Sequence, residues 1–372
     1  MKIAILYSTE FPPEEGIGNY VLNLSKNLVI LGNEVVLITR GKLFNEVIYP
    51  SKDITVIKAP YLSINPFHLL FHQRFVNKEL KKMSDEIDII HINEPLVPNI
   101  IKICPILSTI HTSIIQDATS IEIDNIRSKL YKYQAKFISY PSLLDTIEKS
   151  DCVTTVANSV KEEISLFYNY KNTYVIGNGV DIGEFYPQNG KNKENYILFV
   201  GRLDFRKGIF DLLESWKIVI SQNKDCELII VGKGPLEKKI REFLIMNNIE
   251  MRVKLFGFVS RENLVKLYQN AKICVIPSHY EGLPTVLLEA MACGLPVIST
   301  EVSGSKDVIK DNYNGMFVPT QSPEKLAFKI LYLLNNENLQ SSLGYNARKT
   351  VEAEYSWNII TKKFLYHYTK IL

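Results

Sequence analysis

The chain has 372 residues, of which 46% are apolar and 22% are charged. At about 150 residues per domain, this length predicts two or at most three folded units. The balanced composition excludes disordered, collagen-like and low-complexity architectures. The 43 Lys and Arg residues and 40 Asp and Glu residues leave a net charge of +3, too small to drive nonspecific nucleic-acid binding.

The five cysteines are odd in number, scattered and without the paired spacing of a zinc site. We therefore expect small buried thiols in a reducing compartment. The apolar run Met1–Tyr7 precedes a loop instead of a small-residue cleavage site, so it predicts a strand and not a signal peptide. Because no window offers about 18 uninterrupted apolar residues, the sequence predicts a cytoplasmic protein without a membrane span.

Short β-branched runs alternate with helical segments along the chain. The predicted strands of the first half are Lys2–Ser8, Glu34–Arg40, Ile54–Ala59, Ile87–Ile92, Ile106–His111, Cys152–Ala157 and Thr173–Ile176. Those of the second half are Tyr196–Val200, Glu227–Val231, Val253–Phe256, Ile273–Pro277, Val297–Thr300 and Met316–Val318. Periodicity predicts a helix over Ile17–Leu31 and another opening with a capping box at Ser159–Glu162. Since the strands are apolar on both faces, they indicate parallel sheets covered by helices on each side.

A polar linker divides the chain into halves of similar size. It begins at Asn178–Asp181 and continues through Gln188–Asn195. Each half has its own strands, which predicts an α/β protein of two Rossmann-like doubly wound domains facing a central cleft. We place the domains at 1–184 and 185–356, with a last helix at 357–372. In such sheets ligands bind beyond the carboxyl ends of the strands, so the strand-end loops are examined first.

Three features of the first half are candidates for ligand binding. Gly16 and Gly18 lie at a strand-to-helix turn where backbone amides can approach a phosphate, although a plain helix entry explains them equally. His111 and His91 each end a strand, a place where a lone histidine is more often structural. The basic and aromatic stretch Lys129–Phe137 is either a contact for an acceptor or an anionic membrane, or an ordinary amphipathic helix.

Two glycine-rich loops follow the first strands of the second half. Arg202 and Lys207 lie on one loop between glycines, where they would neutralise a dianionic group; a solvated basic loop is the alternative. The loop is not a Walker motif because Gly-Lys-Ser/Thr does not occur. The second loop, Val231–Pro235 with Gly234, is interpreted as a structural turn whose neighbours border a nucleotide pocket.

The most informative stretch is Pro277–Pro296, which predicts a strand end, a loop and a helix that stops at Gly294. Glu289 lies among apolar residues of that helix. Because an unpaired buried carboxylate is costly, it requires a partner, either sugar hydroxyls or a neighbouring Arg or Lys. Glu281 lies in the preceding loop, where a carboxylate and exposed amides can face one ligand. No Asp-x-Asp sequence occurs, so no metal-diphosphate clamp is predicted.

Together these residues resemble the family-4 retaining glycosyltransferases of the GT-B fold, nearly from end to end. The motifs that carry the resemblance are Phe11–Pro13, Gly16–Gly18, Thr109–His111, Asn178–Asp181, Gly201–Leu203, Lys207–Gly208, Val231–Pro235, the Glu281 and Glu289 pair, and Tyr355–Trp357. Each motif is weak alone, but their order is specific. The last one precedes a helix that, in the family, crosses back onto the first domain.

The resemblance implies that a nucleotide-diphosphate sugar binds to the second domain. Arg202 and Lys207 would hold the diphosphate, Glu289 the ribose hydroxyls and Glu281 the hydroxyls of the donor sugar. Backbone amides of the segment after Glu281 would assist at the sugar and phosphate; its residues are Gly282, Leu283, Pro284 and Thr285. The family transfers sugar with retention and without a demonstrated protein nucleophile, so catalysis would depend on positioning and on stabilising the leaving diphosphate.

The remaining implied contacts lie at the edges of the donor. The loop of Gly16 and Gly18 would close over the phosphates, while Gly234 and Phe258 would border the base. His111 would reach the donor sugar from the first domain, near the reacting centre.

Three positions depart from the family pattern. Glu15-Gly16 and Ser303-Gly304 stand where relatives often have Gly-Gly, and Asp307 stands where Glu is usual. A carboxylate at position 15 would repel a diphosphate unless it turns away. These departures concern loop details and not the class of donor.

The predicted function is transfer of a hexose or N-acetylhexosamine from a UDP-, GDP- or ADP-linked donor to a carbohydrate or lipid-linked acceptor hydroxyl. No metal or other cofactor is predicted, and peripheral contact with the inner face of the membrane is left open. One alternative is a noncatalytic nucleotide-sugar-binding subunit of a glycosyltransferase complex, which would be expected to lose part of the set His111, Arg202, Lys207, Glu281 and Glu289. The other is a sugar-nucleotide epimerase of the same fold, which would turn over donor without acceptor.

Overall fold

The chain folds into two compact α/β units. One contains Met1–Gly179 and Trp357–Leu372, and the other contains Val180–Ser356, so the chain passes between them inside the Asn178–Asp181 segment. The computed structural model describes residues 1–12, 16–42, 44–62, 68–93, 99–112, 114–115, 129, 132–188 and 193–372.

The described strands of the first unit form one sheet. They are β1 (Lys2–Glu10), β2 (Glu34–Arg40), β3 (Glu46–Ser51), β4 (Ile54–Ala59), β5 (Ile89–Asn93), β6 (Ile106–Ile110), β7 (Cys152–Thr155) and β8 (Thr173–Val175). The order is β3-β4-β2-β1-β5-β6-β7-β8, parallel except where β3 joins β4. The sequence analysis missed β3 because this edge strand is mostly exposed and carries no buried apolar run. The strand order reverses between β1 and β5.

Helices cover this sheet, and the described ones before the crossing are α1 (Ile17–Ile30), α2 (His68–Lys82), α3 (Tyr140–Lys149) and α4 (Asn158–Tyr168). The capping box predicted at Ser159 is wrong. Helix α4 begins at Asn158, directly after extended Ala157, so Ser159 is already inside the first turn. Among the described atoms, the buried Ser159 hydroxyl has no hydrogen-bond partner.

The second unit has a fully parallel sheet. Its strands are β9 (Tyr196–Val200), β10 (Glu227–Val231), β11 (Val253–Gly257), β12 (Ile273–Ile276), β13 (Val297–Thr300) and β14 (Met316–Val318), in the order β11-β10-β9-β12-β13-β14. Its helices are α5 (Ile209–Gln222), α6 (Glu237–Met246), α7 (Arg261–Asn270), α8 (Thr285–Ala292), α9 (Ser305–Val308), α10 (Pro323–Leu334) and α11 (Glu337–Glu354). Here the order reverses between β9 and β12.

The last helix, α12 (Trp357–Ile371), belongs to the first unit and packs against α1. Its Trp357 ring lies so close to Gly179 that a Cβ there would overlap the indole. On the other side of the crossing, Val180 pairs with Ser356 in a parallel bridge, and the Val180 amide donates to the Tyr355 carbonyl over 2.9 Å. The two segments that connect the units therefore lie side by side.

The alternation of side-chain directions along β1 explains why residues 3–7 are all apolar. Ile3 and Ile5 contribute to a core with α1 and α12, whereas Ala4 and Leu6 contribute to a second core that includes Val76 of α2. Since successive side chains of a strand point to opposite faces, a sheet covered on both faces needs apolar residues at every position. The predicted doubly wound α/β class is confirmed for both units.

Candidate active site

The loops after β9 and β12 meet where the strand order of the second sheet reverses, which is the usual ligand position in doubly wound sheets. Gly208, after β9, has a φ of 65°, and a Cβ on it would overlap the Pro277 carbonyl oxygen after β12. Only glycine combines this left-handed conformation with so close an approach. The sequence thus brings the two loops into direct contact.

A nearly buried ion pair joins these loops. The Nζ atom of Lys207 contacts Oε1 of Glu281, and their side chains retain only 16% and 9% of their exposure. The Ser278 hydroxyl donates to the same oxygen over 2.9 Å. The sequence analysis assigned Lys207 and Glu281 to different parts of a ligand, and the structure places them against each other.

Electrostatics keeps Glu281 ionised. Burial by itself would raise the pKa of this carboxyl, but the charges of Lys207 and Arg206, with the hydrogen bonds from Lys207 and Ser278, lower it below its ordinary value. The site therefore holds a carboxylate and a cation in fixed positions, a combination that can accept hydrogen bonds from hydroxyls and attract a phosphate.

A second polar pair supports the same loops, and the sequence analysis did not identify it. The Nε2 atom of His279 lies 2.8 Å from Oδ2 of Asp211 on α5, and the His279 amide donates to the Arg206 carbonyl over 2.7 Å. The partners lie 68 residues apart in the chain, so no local pattern indicates their contact.

Glu289 lies on α8, partly buried, and accepts a hydrogen bond from the Tyr268 hydroxyl over 3.0 Å. Burial raises the pKa of Glu289 to about 7, although the Arg261 charge and the Tyr268 hydrogen bond oppose the shift. Arg261 itself forms its ion pair with Glu184, at 2.6 Å. Of the two partners that the sequence analysis left open, the neighbouring cation is present, but its direct contact is with another carboxylate.

Neighbouring loops of the second unit carry the other predicted donor contacts. Arg202 is 61% exposed, with its Nε 3.7 Å from Oδ2 of Asp204. Gly234 packs so tightly on the Leu203 carbonyl that a Cβ there would overlap it. Phe258 follows β11 and is 67% exposed. All three positions lie at the edge formed by the carboxyl ends of β9, β10 and β11.

The segment between Glu281 and α8 is held from one side by the loop after β13. Gly282, Leu283 and Pro284 are buried, and Thr285 begins α8. The Gly304 amide donates to the Gly282 carbonyl over 2.7 Å, and a Cβ on Gly304 would overlap that oxygen. Glycine is therefore required at position 304, where this chain keeps it, and Ser303 departs from the family pattern at the position beside it.

In the first unit, His111 follows β6 and is buried. Its Nε2 lies 3.3 Å from Oδ1 of Asn93, and its ring packs edge-on against Tyr20 at 4.7 Å. Burial lowers the pKa of His111 to about 3, so the ring is neutral. Among the described atoms, the buried Nδ2 of Asn93 has no hydrogen-bond partner. The sequence analysis did not single out Asn93, although it contacts the predicted residue His111. By contrast, both ring nitrogens of His91 are bonded, to Tyr368 and Thr109, which agrees with a structural role.

The glycine loop of the first unit is described only in part. Gly16 caps α1 with a φ of 62°, a conformation that favours glycine, and Gly18 is buried within α1. Glu15 lies outside the described residues, as do positions 130 and 131 of the Lys129–Phe137 stretch. In that stretch the exposed rings of Tyr133 and Phe137 lie 4.5 Å apart.

The described residues include neither a metal-binding cluster nor a membrane-spanning helix. Within the described ranges, no group of three or more His, Cys, Asp and Glu side chains is placed to hold a metal ion. None of the helices in the part of the chain that is described has the length and apolar character needed to cross a membrane.

Two doubly wound α/β units in one chain place the fold in the GT-B class of glycosyltransferases. The solved sucrose-phosphate synthase of Thermosynechococcus elongatus superposes on the chain with a TM-score of 0.83 at 24% identity, covering 99% of this chain and 98% of that one. The Anabaena protein HepE, solved in complex with UDP and glucose, superposes with a TM-score of 0.77 at 16% identity and covers 99% of each chain.

Sequence comparison gives the family. Residues 181–350 match the family described as glycosyl transferases group 1, and residues 15–184 match glycosyltransferase family 4. An uncharacterized glycosyltransferase of Methanocaldococcus jannaschii is 31% identical, over 98% of this chain and 96% of that protein. The chain belongs to the family-4 glycosyltransferases, as its motifs predicted.

Proposed function

We propose that the protein transfers a hexose or N-acetylhexosamine from a nucleotide-diphosphate sugar to an acceptor hydroxyl, with retention of the anomeric configuration and without an essential metal. The observation that carries this proposal is the Lys207–Glu281 pair at the strand reversal of the second sheet. The acceptor is a carbohydrate or a lipid-linked molecule, and the nucleoside of the donor is uridine, guanosine or adenosine.

The pair supports both halves of the reaction. Lys207, with Arg202, neutralises the diphosphate as the bond between the anomeric carbon and the phosphate oxygen breaks. Glu281 accepts hydrogen bonds from the hydroxyls of the sugar and holds it in place. The acceptor oxygen then bonds to the anomeric carbon on the face that the diphosphate leaves, and its proton passes to the departing phosphate oxygen. Fixed charges that stabilise a leaving group commonly supply a large share of catalysis.

One further carboxylate, of Glu289, and one imidazole, of His111, belong to the proposed donor contacts. Glu289 accepts hydrogen bonds from the ribose hydroxyls, and its raised pKa makes this contact depend on pH near neutrality. His111 contacts the donor sugar near the reacting carbon. Because its ring is neutral, it acts through hydrogen bonding and not through charge.

A thermal-shift screen of UDP-, GDP- and ADP-sugars tests the donor. A ligand at 100 times its dissociation constant stabilises a protein by about 2.7 kcal/mol, which a melting curve resolves. Lys207→Met should abolish the shift, whereas Lys217→Met, which removes a partly exposed lysine from α5, should not. A screen in which no nucleotide sugar stabilises the wild type would refute the proposal.

Reaction with the identified donor separates transfer from binding alone. Donor that binds but is neither transferred nor hydrolysed would favour the noncatalytic subunit. Product analysis by NMR, with and without a chelator, checks retention and metal independence. An inverted product, or activity lost with the chelator and restored by a divalent cation, would contradict those parts of the proposal.

A further inference from the structure

A cluster of basic and aromatic side chains lies at the carboxyl edge of the first sheet, apart from the residues assigned above. We call it the Arg40 cluster, and its members are Arg40, Tyr61, His68 and His72. Arg40 ends β2, between the carboxyl ends of β1 and β4 in the sheet order. The cluster is thus one strand away from the reversal between β1 and β5.

The four side chains are in contact through Tyr61. The Arg40 guanidinium lies 4.3 Å from the centre of the Tyr61 ring, and the rings of His68 and His72 meet that ring edge-on at 5.7 and 5.6 Å. His72 is fixed by a 2.9 Å hydrogen bond between its Nδ1 and the Pro60 carbonyl. These contacts hold a guanidinium and two imidazoles around one ring.

Hydrogen-bonding capacity in the cluster is unused. Among the described atoms, the buried Nε of Arg40 and the buried Nδ1 of His68 have no partner. A buried polar group without a partner is costly, and the cost is higher for a charged group. Glu10 is the neighbouring residue on β1, but among the described residues no carboxylate lies within 4.0 Å of the Arg40 guanidinium.

The charges in the cluster also point to an anion. Burial lowers the pKa of Arg40, although the charges of Tyr61 and Glu10 oppose this shift. Burial also lowers the pKa of His68 and His72, and the charge of Arg40 lowers both further. A bound oxyanion would stabilise the charged forms of these three side chains and would accept hydrogen bonds from their unused donors. Arginine binds such groups through paired N–H donors in a fixed plane.

We propose that the Arg40 cluster binds an oxyanion of the acceptor, a phosphate or a carboxylate, and so selects acidic acceptors. The inference rests on the proposed function because the acceptor is defined by the transfer reaction. Arg40 would form charge-assisted hydrogen bonds to the anion, with His68 as an additional ligand, while Tyr61 keeps the guanidinium in place.

The test compares matched acceptors that differ by one anionic group. The pairs are glucose and glucose 6-phosphate, myo-inositol and inositol 1-phosphate, glycerol and glycerol 3-phosphate, and propan-2-ol and lactate. Binding to the full-length protein is measured by calorimetry without donor, and kcat/KM is measured with the donor that stabilises the protein. The wild type should favour the anionic member of at least one pair by tenfold or more, and the phosphate and carboxylate pairs distinguish the two kinds of anion.

Arg40→Gln should reduce this preference by about 10- to 100-fold, the range for hydrogen bonds to a charged group. Arg74→Gln, at an exposed arginine of α2, is the matched control and should keep the preference. His68→Phe provides a second variant, which retains a ring against Tyr61 but removes the unpartnered nitrogen; a loss of threefold or more is expected.

The proposal is overturned if the wild type shows no anionic preference in any pair, or if either folded variant keeps the full preference. Its failure is distinct from failure of the proposed function. Nucleotide-sugar binding depends on residues of the second unit and is measured separately, while acceptor binding is measured without donor.

Discussion

The Lys207–Glu281 pair makes a quantitative prediction about stability. Lys207→Met removes the cation and leaves a carboxylate with 9% exposure beside Ser278 and Arg206. Breaking a buried ion pair on one side costs about 3–5 kcal/mol. Because Ser278 still donates and the charge of Arg206 persists, we expect the lower end, about 3 kcal/mol at pH 7. For a domain of this size, that corresponds to a fall in Tm of about 6–12 °C.

The cost should depend on pH, with a defined sign. The pKa of Glu281 is lower in the folded protein than its ordinary value of 4.5. Its stabilising contribution is therefore present above pH 4.5 and is lost as the pH falls through the folded value. Without Lys207, burial prevails and the carboxyl takes up a proton at higher pH. The difference in unfolding free energy between wild type and Lys207→Met should then shrink between pH 7 and pH 4.

A double-mutant cycle isolates the interaction. Unfolding by urea is measured for Lys207→Met, Glu281→Gln and the double variant, and we expect a coupling free energy of about 2 kcal/mol at pH 7. The control is the partly exposed pair of Lys217 and Glu214 on α5, for which coupling should stay below about 0.5 kcal/mol. Equal coupling in the two cycles, or a Lys207→Met cost that does not change with pH, would refute the reasoning.

Three further predictions concern other residues. The pKa of Glu289, about 7, exceeds the ordinary 4.5, so its contribution to stability is full below pH 4.5 and is lost as the pH rises through 7. Glu289→Gln should therefore raise Tm by a few degrees at pH 8 and not at pH 4.5. As a control, Glu262→Gln at an exposed site should change Tm little at either pH. Gly208→Ala should destabilise by about 3 kcal/mol or more because its Cβ would overlap Pro277, whereas Gly32→Ala, with positive φ but open space, should cost about 1 kcal/mol in urea unfolding. His111→Asn should lower kcat without changing the nucleotide affinity. The pH–rate profile of the wild type should show no ionisation of His111 between pH 5 and 8. Weaker nucleotide binding in the variant would contradict this assignment.

Strand positions could be predicted closely wherever burial imposed an apolar run. The bounds of β2, β4, β9, β10 and β13 agree with the sequence analysis because strands covered on both faces have a clear apolar signature. The exposed edge strand β3 has no such signature and was missed. Helix α4 shows a different failure: the Ser159–Glu162 pattern fits a capping box, but the helix begins at Asn158, after extended Ala157, two residues earlier than a cap at Ser159 would place it.

At the candidate site, the sequence identified individual residues but not their partners. Lys207 and Glu281 were found from strand-end loops and the family motifs, yet their contact spans 74 residues of the chain. Tyr268, which donates to Glu289, and Asp211, which contacts His279, come from helices whose local pattern indicates only an apolar face. Such contacts depend on how the strands are ordered in the sheet, and this order cannot be inferred from any short segment of the sequence.

The paired connections beside Gly179 and Trp357 make the second unit an insertion with adjacent entry and exit points. Since Val180 and Ser356 are already bridged, the segment between them can be exchanged for that of a relative by two cuts at one place. Chimeras joined between residues 179 and 180 and between residues 356 and 357 would keep the packing of Gly179 against the Trp357 ring. This geometry offers a practical route to exchange the second unit between relatives within one polypeptide.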